Sequence, residues 1–173
     1  KEERIEVVPE IMIPLIGDAN ELRVVHNQLK LVADAVVRES GVPIQYMFGT
    51  MIELPRAALT AGEIAQYAQF FSFGTNDLTQ YTLAVDRGNN LIVGMYQELH
   101  PAVLMLIRTT VEAARRGKKP VSVCGELASN PLATPLLVGL GISELSVSPS
   151  VVRATALRIA SLSFRECQAL AEQ

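Results

Sequence analysis

Apolar and polar positions come in blocks along the chain. A short apolar run gives way to a turn, and the turn to a stretch whose apolar residues recur at helical spacing. The runs are "EIMIPLI" (Glu10–Ile16), "QYMFGTMIEL" (Gln45–Leu54), "FFSFG" (Phe70–Gly74), "PVSVCGE" (Pro120–Glu126) and "ISELSVS" (Ile142–Ser148). The first four are apolar enough to be buried on both faces, as strands of a parallel sheet are.

The stretches between the runs carry helix-start signals. Asp18 with Glu21 forms an Asp-x-x-Glu cap, and Leu22, Val25, Leu29, Val32 and Val36 then fall on one face until Gly41 ends the helix. Thr60 with Glu63 repeats the cap before "IAQYAQ". Pro101 fits the first turn of "PAVLMLIRTTVEAARRG", which Gly117 closes. Asn130 and Pro131 start "LATPLLVGLG", and Ser163 with Glu166 starts "FRECQALAEQ".

Strand followed by helix, repeated, predicts a parallel α/β architecture. Right-handed crossovers leave an open doubly wound sheet or a closed barrel. The absence of a GxGxxG and of a P-loop weakens the dinucleotide and nucleotide readings. Five runs are too few for a (β/α)8 barrel, so in a barrel about three strand–helix units lie outside this chain. With no linker and no change of composition, a single domain spanning residues 1–173 is expected.

Composition narrows this picture. The chain has 173 residues, 49% hydrophobic and 19% charged, which suits one domain or part of a larger one with a sizeable core. A net charge of -3 without a basic run argues against nucleic acid. The strongest basic cluster, Arg115–Lys119, lies at a helix end, where cations oppose the dipole. Cys124 and Cys167 sit in different settings, which predicts free thiols and a cytoplasmic protein. No apolar run reaches the roughly 20 residues that span a bilayer, and no signal peptide is visible. The chain enters "KEERIEVVPEIMIPLI" almost at once, and a natural N-terminus is expected further upstream.

Three apolar runs end in unusual chemistry: Glu53 after "GTMI", Asn76-Asp77 after "FFSFGT", and Cys124 with Glu126 in "VSVCGE". All lie near C-terminal strand ends, where parallel barrels build active sites. Singly, Glu53 reads equally as an ion-pair partner or helix cap, Asp77 as an N-cap, and Asn76 as a turn residue. Together Glu53 and Asp77 are two hard oxygen donors suited to Mg²⁺, which takes one or two carboxylates and leaves its other positions to water and substrate. His26 and His100 are not paired with thiols at zinc spacing and read as helix residues without catalytic roles. Cys124 is either a core thiol or a group that moves a proton to or from a substrate carbon. Cys167 reads as structural. Arg87, ten residues after Asp77, is either a surface arginine or an anion clamp.

"GTMIELPRAAL", "FFSFGTNDLTQYTLAVDRGN" and "VCGELA" resemble the C-terminal phosphoenolpyruvate (PEP)-binding barrel of the PEP-utilising enzymes, in the family's order and spacing. That family includes pyruvate phosphate dikinase, PEP synthase and enzyme I of the sugar phosphotransferase system. The resemblance covers essentially the whole chain. It implies part of a TIM-type, pyruvate kinase-like (β/α)8 barrel, about the last five strand–helix units, that binds PEP or pyruvate with Mg²⁺. Carried over by motif, Glu53 and Asp77 would be metal ligands. Gly74, Thr75, Asn76 and Asp77 would hold substrate oxygens, and Glu53 would border the substrate. Arg87 would contact the PEP phosphate. Cys124 would protonate the enolate of pyruvate at its methyl carbon, or deprotonate pyruvate in reverse.

Within the family the sequence looks mixed. To about Gln80 it is closer to pyruvate phosphate dikinase; from Tyr81 it is closer to enzyme I ("YTLAVDRGNN", "CGELASNPLATPLLVGLG"). The dikinase-like Mg²⁺-dependent phosphotransferase is the leading expectation and enzyme I the alternative. The arginines of the family's first barrel strands and its phosphohistidine domain have no counterpart here, so the isolated chain is expected to be inactive in the full reaction. A non-catalytic barrel fragment is the reading from another class. Exposed sheet edges predict a homo-oligomer or a missing complementary piece.

Overall fold

The computed structural model describes residues 7–172. Five strands form one parallel sheet: β1 (Glu10–Ile13), β2 (Met47–Ile52), β3 (Phe71–Gly74), β4 (Val121–Cys124) and β5 (Glu144–Leu145). They are hydrogen-bonded in the order in which they occur along the chain, with no reversal. A doubly wound sheet needs a reversal, where helices change sides. Sequential strands with crossovers of one hand place every helix on one face, as in a wall cut from a (β/α)8 barrel. The barrel alternative is the one observed.

Nine helices follow the strands among the described residues: α1 (Ala19–Ser40), α2 (Pro55–Leu59), α3 (Ala61–Ile64), α4 (Thr75–Leu83), α5 (Pro101–Gly117), α6 (Glu126–Ser129), α7 (Thr134–Leu140), α8 (Val152–Ala160) and α9 (Phe164–Ala171). The core lies between the sheet and this layer. Ile13, Phe48, Ile52, Phe71, Phe73, Val121 and Val123 pack against Ala57, Ala58, Ile64, Ile107, Ala114 and Leu127. The register, with Met51 beside Ser72 and Gly74 beside Cys124, puts Met51, Ser72, Gly74 and Cys124 on the opposite face.

That opposite face explains one departure from the sequence pattern. Only β3 is buried along its whole length; β1 leaves Glu10 and Met12 exposed, and β4 alternates buried with half-buried residues. A strand needs cover on both faces to be buried on both, and here the second face of β1 and β4 is open.

Helix α1 shows both the value and the limit of the pattern. Asp18 accepts hydrogen bonds from the N–H groups of Asn20 (2.8 Å) and Glu21 (2.9 Å), and Gly41 closes the helix in the left-handed conformation. The Glu21 carboxylate turns back to the N–H of Gly17 at 2.6 Å rather than to that of Asp18. Of the apolar stripe only Leu22 is buried and Val25 half-buried, whereas Val32 and Val36 are about 60% exposed. A helix of 22 residues outruns a four-residue edge strand, so its far end finds nothing to cover.

Other boundaries moved for local reasons. Thr60 does not cap α3 with its side chain; its hydroxyl donates to the Arg56 carbonyl and closes α2, which Pro55 opens. Lys118, not Gly117, takes the left-handed position after α5. Asn130 accepts from the N–H of Leu132 in a turn, so α7 begins only at Thr134. Ser163 caps α9 as its pattern predicts. The short α2 and α6, and α8, are not visible in the periodicity. The segment Lys1–Glu6 and Gln173 lie outside the described residues.

Candidate functional site at the C-terminal strand ends

Glu53 follows the last residue of β2 and is 3% exposed. One carboxylate oxygen accepts the Leu15 N–H at 2.7 Å. Leu15 reaches this position with φ +56°, a left-handed backbone that is costly for a leucine and is held here by its surroundings. Burial pushes the Glu53 carboxyl above the usual carboxylate range; the Leu15 N–H opposes this, and the neighbouring Asp77 adds to it by charge and by direct contact. The structure therefore brings Glu53 and Asp77 together.

Gly74 makes this approach possible. A Cβ there would lie 2.6 Å from Glu53 Oε2 and 2.9 Å from Glu53 Cβ. Gly74 also precedes α4, so Thr75, Asn76 and Asp77 form the helix's first turn. Asp77 is thus inside the helix rather than its N-cap, with its negative charge at the positive end of the dipole. Its Oδ1 lies 3.7 Å from the Arg87 guanidinium, both side chains being partly exposed. Such an ion pair is weak and leaves Arg87 free to meet another anion.

On the next strand, the Cys124 thiol donates to the Phe73 carbonyl at 3.2 Å, and the Ser72 hydroxyl donates to Cys124 Sγ at 3.8 Å. The turns after β3 and β4 are tied together. Thr75 Oγ1 donates to the Cys124 carbonyl at 3.0 Å, and the Glu126 N–H donates to Asn76 Oδ1 at 3.1 Å. This fixes the Asn76 amide with its oxygen toward α6, leaving its NH₂ as a donor. Gly125 adopts φ +94°, and a Cβ there would lie 2.6 Å from Thr75 Oγ1. The Tyr96 hydroxyl donates to the Asn76 carbonyl at 3.0 Å and anchors the loop that carries Arg87.

Beside these turns a cleft of about 410 Å³ is lined by Tyr96, Glu98, Glu126 and Asn130. Burial raises the Glu98 carboxyl, the charge of Glu126 raises it further, and the Leu127 N–H opposes both. The clefts bordered by α5, α7 and α9 lie on the helix layer, away from the strand ends.

Glu53, Gly74, Thr75, Asn76, Asp77, Arg87 and Cys124 all gather at one end of the sheet. The geometry gives the Thr75 hydroxyl to the Cys124 carbonyl, a tie between turns. His26 packs edge-on against Phe48 at 4.7 Å, and His100 caps α5 through Nδ1. Cys167 is buried on α9. Leu15, Ser72 and Tyr96 were not visible as site residues in the sequence, because Leu15 acts through its backbone N–H, Tyr96 through a hydroxyl that meets the Asn76 carbonyl, and Ser72 through a sulfur on another strand. Gly125 carried a signal, a glycine between a strand and an acidic helix start.

Glu53 and Asp77 are neighbouring hard oxygen donors, and the charge of Asp77 adds to the burial that raises the Glu53 carboxyl, which a cation would relieve. Among the described residues no group of three or more His, Cys, Asp or Glu converges as a metal cage. Two carboxylates with open positions fit Mg²⁺.

Residues 2–164 match the family described as PEP-utilising enzyme, PEP-binding domain. The chain is 42% identical over 163 residues to the phosphoenolpyruvate-protein phosphotransferase of Mycoplasma pneumoniae, covering 94% of this chain and 28% of that protein. It is also 42% identical to the multiphosphoryl transfer protein of Xanthomonas campestris pv. campestris, covering 94% and 19%, and 37% identical to the phosphotransferase of Bacillus subtilis, covering 94% and 29%. The chain thus spans less than a third of these relatives' length. Among solved structures, a pyruvate kinase from Cryptosporidium parvum superposes with a TM-score of 0.61 at 11% identity, covering 92% of this chain and 31% of that one. The citrate synthase SbnG superposes with a TM-score of 0.56 at 16% identity, covering 95% and 64%. These two show the fold. The named relatives back the enzyme I reading better than the dikinase reading, and the leading expectation is corrected accordingly.

Proposed function

Because this chain belongs to the PEP-utilising enzymes, matching their PEP-binding domain, we propose that it is the PEP/pyruvate-binding segment of a PEP-protein phosphotransferase of the enzyme I type. The carrying observation is the convergence of three groups around Gly74: buried Glu53 packed against it, Asp77 in the helical turn that follows it, and Cys124 paired with it on the next strand. The remaining barrel strands and a phosphohistidine domain belong, in this reading, to other parts of a longer protein.

Glu53 and Asp77 would hold Mg²⁺, which when bound supplies positive charge against the phosphoryl and enolate oxygens. Glu53 is aimed by the Leu15 N–H, and Asp77 by its place in the first turn of α4. Asn76 offers its NH₂ to a substrate oxygen. Arg87 offers its guanidinium to the phosphate, and the Tyr96 anchor sets where its loop returns. As the bond between phosphorus and the enol oxygen breaks, the phosphoryl group bonds to the histidine nitrogen of the phosphohistidine domain, and the electron pair of the broken bond stays with the substrate as an enolate. The enolate methylene carbon takes the proton of the Cys124 thiol, giving pyruvate and a thiolate that recovers its proton from water. Run backwards, the thiolate removes a methyl proton from pyruvate.

The test is Mg²⁺-dependent exchange of pyruvate methyl protons with deuterium, followed by NMR on the full-length protein, a partial reaction that needs no phosphohistidine. Cys124→Ala should abolish exchange; exchange at the unmodified rate would remove Cys124 from the proposed role. Asp77→Asn should weaken Mg²⁺ binding, and unchanged affinity would end the ligand assignment.

A second reading, a barrel piece that pairs with another copy, is favoured by the exposed Met12, Val32 and Val36. Light scattering that finds a stable monomer counts against it. No helix among the described residues is long and apolar enough to cross a membrane. The two free thiols support a cytoplasmic setting.

A further inference from the structure

Ser72 is the residue of this site whose side chain has no role in the chemistry above. It lies on β3, on the same face as Gly74, and is 4% exposed. Its hydroxyl donates to Cys124 Sγ at 3.8 Å, within hydrogen-bonding reach of sulfur. Among the described residues it is the one side-chain donor to that sulfur, while the thiol itself points its proton at the Phe73 carbonyl. A buried hydroxyl ordinarily finds an oxygen partner, because burial without one is costly. Here the partner is the atom that loses a proton in the proposed reaction.

We propose that Ser72 is a positioning residue that acts through Cys124: its hydroxyl fixes the sulfur and stabilises the thiolate left when the thiol proton moves to carbon. This rests on the reading of Cys124 as the proton donor, but the bond itself can be tested without turnover. The donor is well matched to the task. The Phe73 carbonyl is an acceptor only and serves the protonated thiol, whereas a hydroxyl donates more strongly to an anion than to a neutral sulfur. The charged groups facing this region are acidic: Glu126 at the start of α6, Asp77 on α4, Glu53 after β2, and Glu144 on β5, one rung below on the same face. Arg87 is already turned to Asp77. None of these supplies the sulfur with a hydrogen-bond donor, so the Ser72 hydroxyl stands against a negative surrounding field.

The experiment measures alkylation of Cys124 by iodoacetamide against pH, read at the Cys124 peptide by mass spectrometry, so that buried Cys167 does not contribute. Ser72→Ala should move the midpoint of the rate profile upward by about one pH unit, since the donor favours the charged form. Ser72→Thr, which keeps the hydroxyl, should restore the original profile, and Ser72→Cys, a weaker donor, should fall between. An unchanged midpoint in Ser72→Ala, or a Thr variant that behaves as Ala does, overturns the proposal. In the full-length protein, Ser72→Ala should slow methyl-proton exchange about tenfold while leaving the pyruvate concentration for half-maximal rate unchanged. If Cys124→Ala exchanges protons normally but the alkylation midpoint still moves in Ser72→Ala, the acid/base reading fails while the Ser72–Cys124 link stands. A melting temperature for each variant confirms that the profiles are those of folded protein.

Discussion

Replacing Gly74 by alanine isolates the role of one missing Cβ. Gly74 has φ -86° and ψ +77°, so alanine meets no left-handed backbone there, and the perturbation is purely one of space. The new carbon would lie 2.9 Å from Glu53 Cβ, where carbon atoms ordinarily sit about 3.5 Å apart or more, so something must give by about 0.6 Å. The carboxylate end of Glu53, 2.6 Å away, can rotate, but its Cβ is held by the end of β2. Overpacking of this kind costs about 1–3 kcal/mol, and loss of the charge-assisted bond from the Leu15 N–H costs about 1.5–3 kcal/mol more. Urea titration should therefore show Gly74→Ala less stable by about 2.5–6 kcal/mol. Metal–ligand distances tolerate only about 0.2 Å, so Mg²⁺ affinity by calorimetry should fall at least tenfold, an order-of-magnitude figure. Adding Glu53→Asp, which withdraws the carboxylate by one methylene, should return part of the stability without returning the metal. A Gly74→Ala protein with ordinary stability and ordinary Mg²⁺ affinity would refute the idea that this glycine sets the position of Glu53.

Glu53→Gln should bind Mg²⁺ at least about tenfold more weakly, yet melt no lower than the parent at pH 8 without metal, because the amide oxygen still accepts from Leu15 and no buried charge remains. The pH dependence has a definite sign. Glu53 and Glu98 both titrate above their ordinary value of 4.5 in the folded protein, so the stability each contributes is full below that pH and is lost as pH rises through the raised value. Thermal melts of metal-free protein should show this decline, and Glu53→Gln/Glu98→Gln should flatten it; an equal slope in both proteins would contradict the assignment. Gly125→Ala should cost at least about 2 kcal/mol in urea titration, since it forces alanine into a glycine-only backbone region and against Thr75 Oγ1. Asp18→Ala should cost about 1 kcal/mol by removing the cap of α1, with Mg²⁺ binding unaffected.

The sequence carried the strands well, because apolar runs bounded by turns leave few ways to be arranged. It also carried the gathering of Glu53, Asp77 and Cys124, since a parallel sheet sends every strand's C-terminal end to one side. Helix boundaries were less legible where one polar residue had two offers. Thr60 could cap α3 or close α2, and the backbone carbonyl of Arg56 won. Asp77 looked like an N-cap because it precedes an apolar stretch, but the helix starts two residues earlier at Thr75. The apolar stripe of α1 gave the right helix but not its burial, because periodicity says which residues share a face and not whether anything lies opposite. Leu15 could not be read as a site residue at all. Its contribution is a backbone N–H in a left-handed conformation, and no side-chain pattern encodes that.

The hydrogen bond from Cys124 to the Phe73 carbonyl also gives the protein a built-in optical probe. Sulfur–hydrogen stretching absorbs in an infrared window that other protein groups leave almost empty, and donation to a carbonyl shifts the band to lower frequency. Cys167, buried on α9 with no hydrogen-bond acceptor for its thiol among the described residues, supplies an unshifted band in the same spectrum. The protein therefore carries its own reference line, and arrival of a substrate beside Cys124 can be followed without attaching any label.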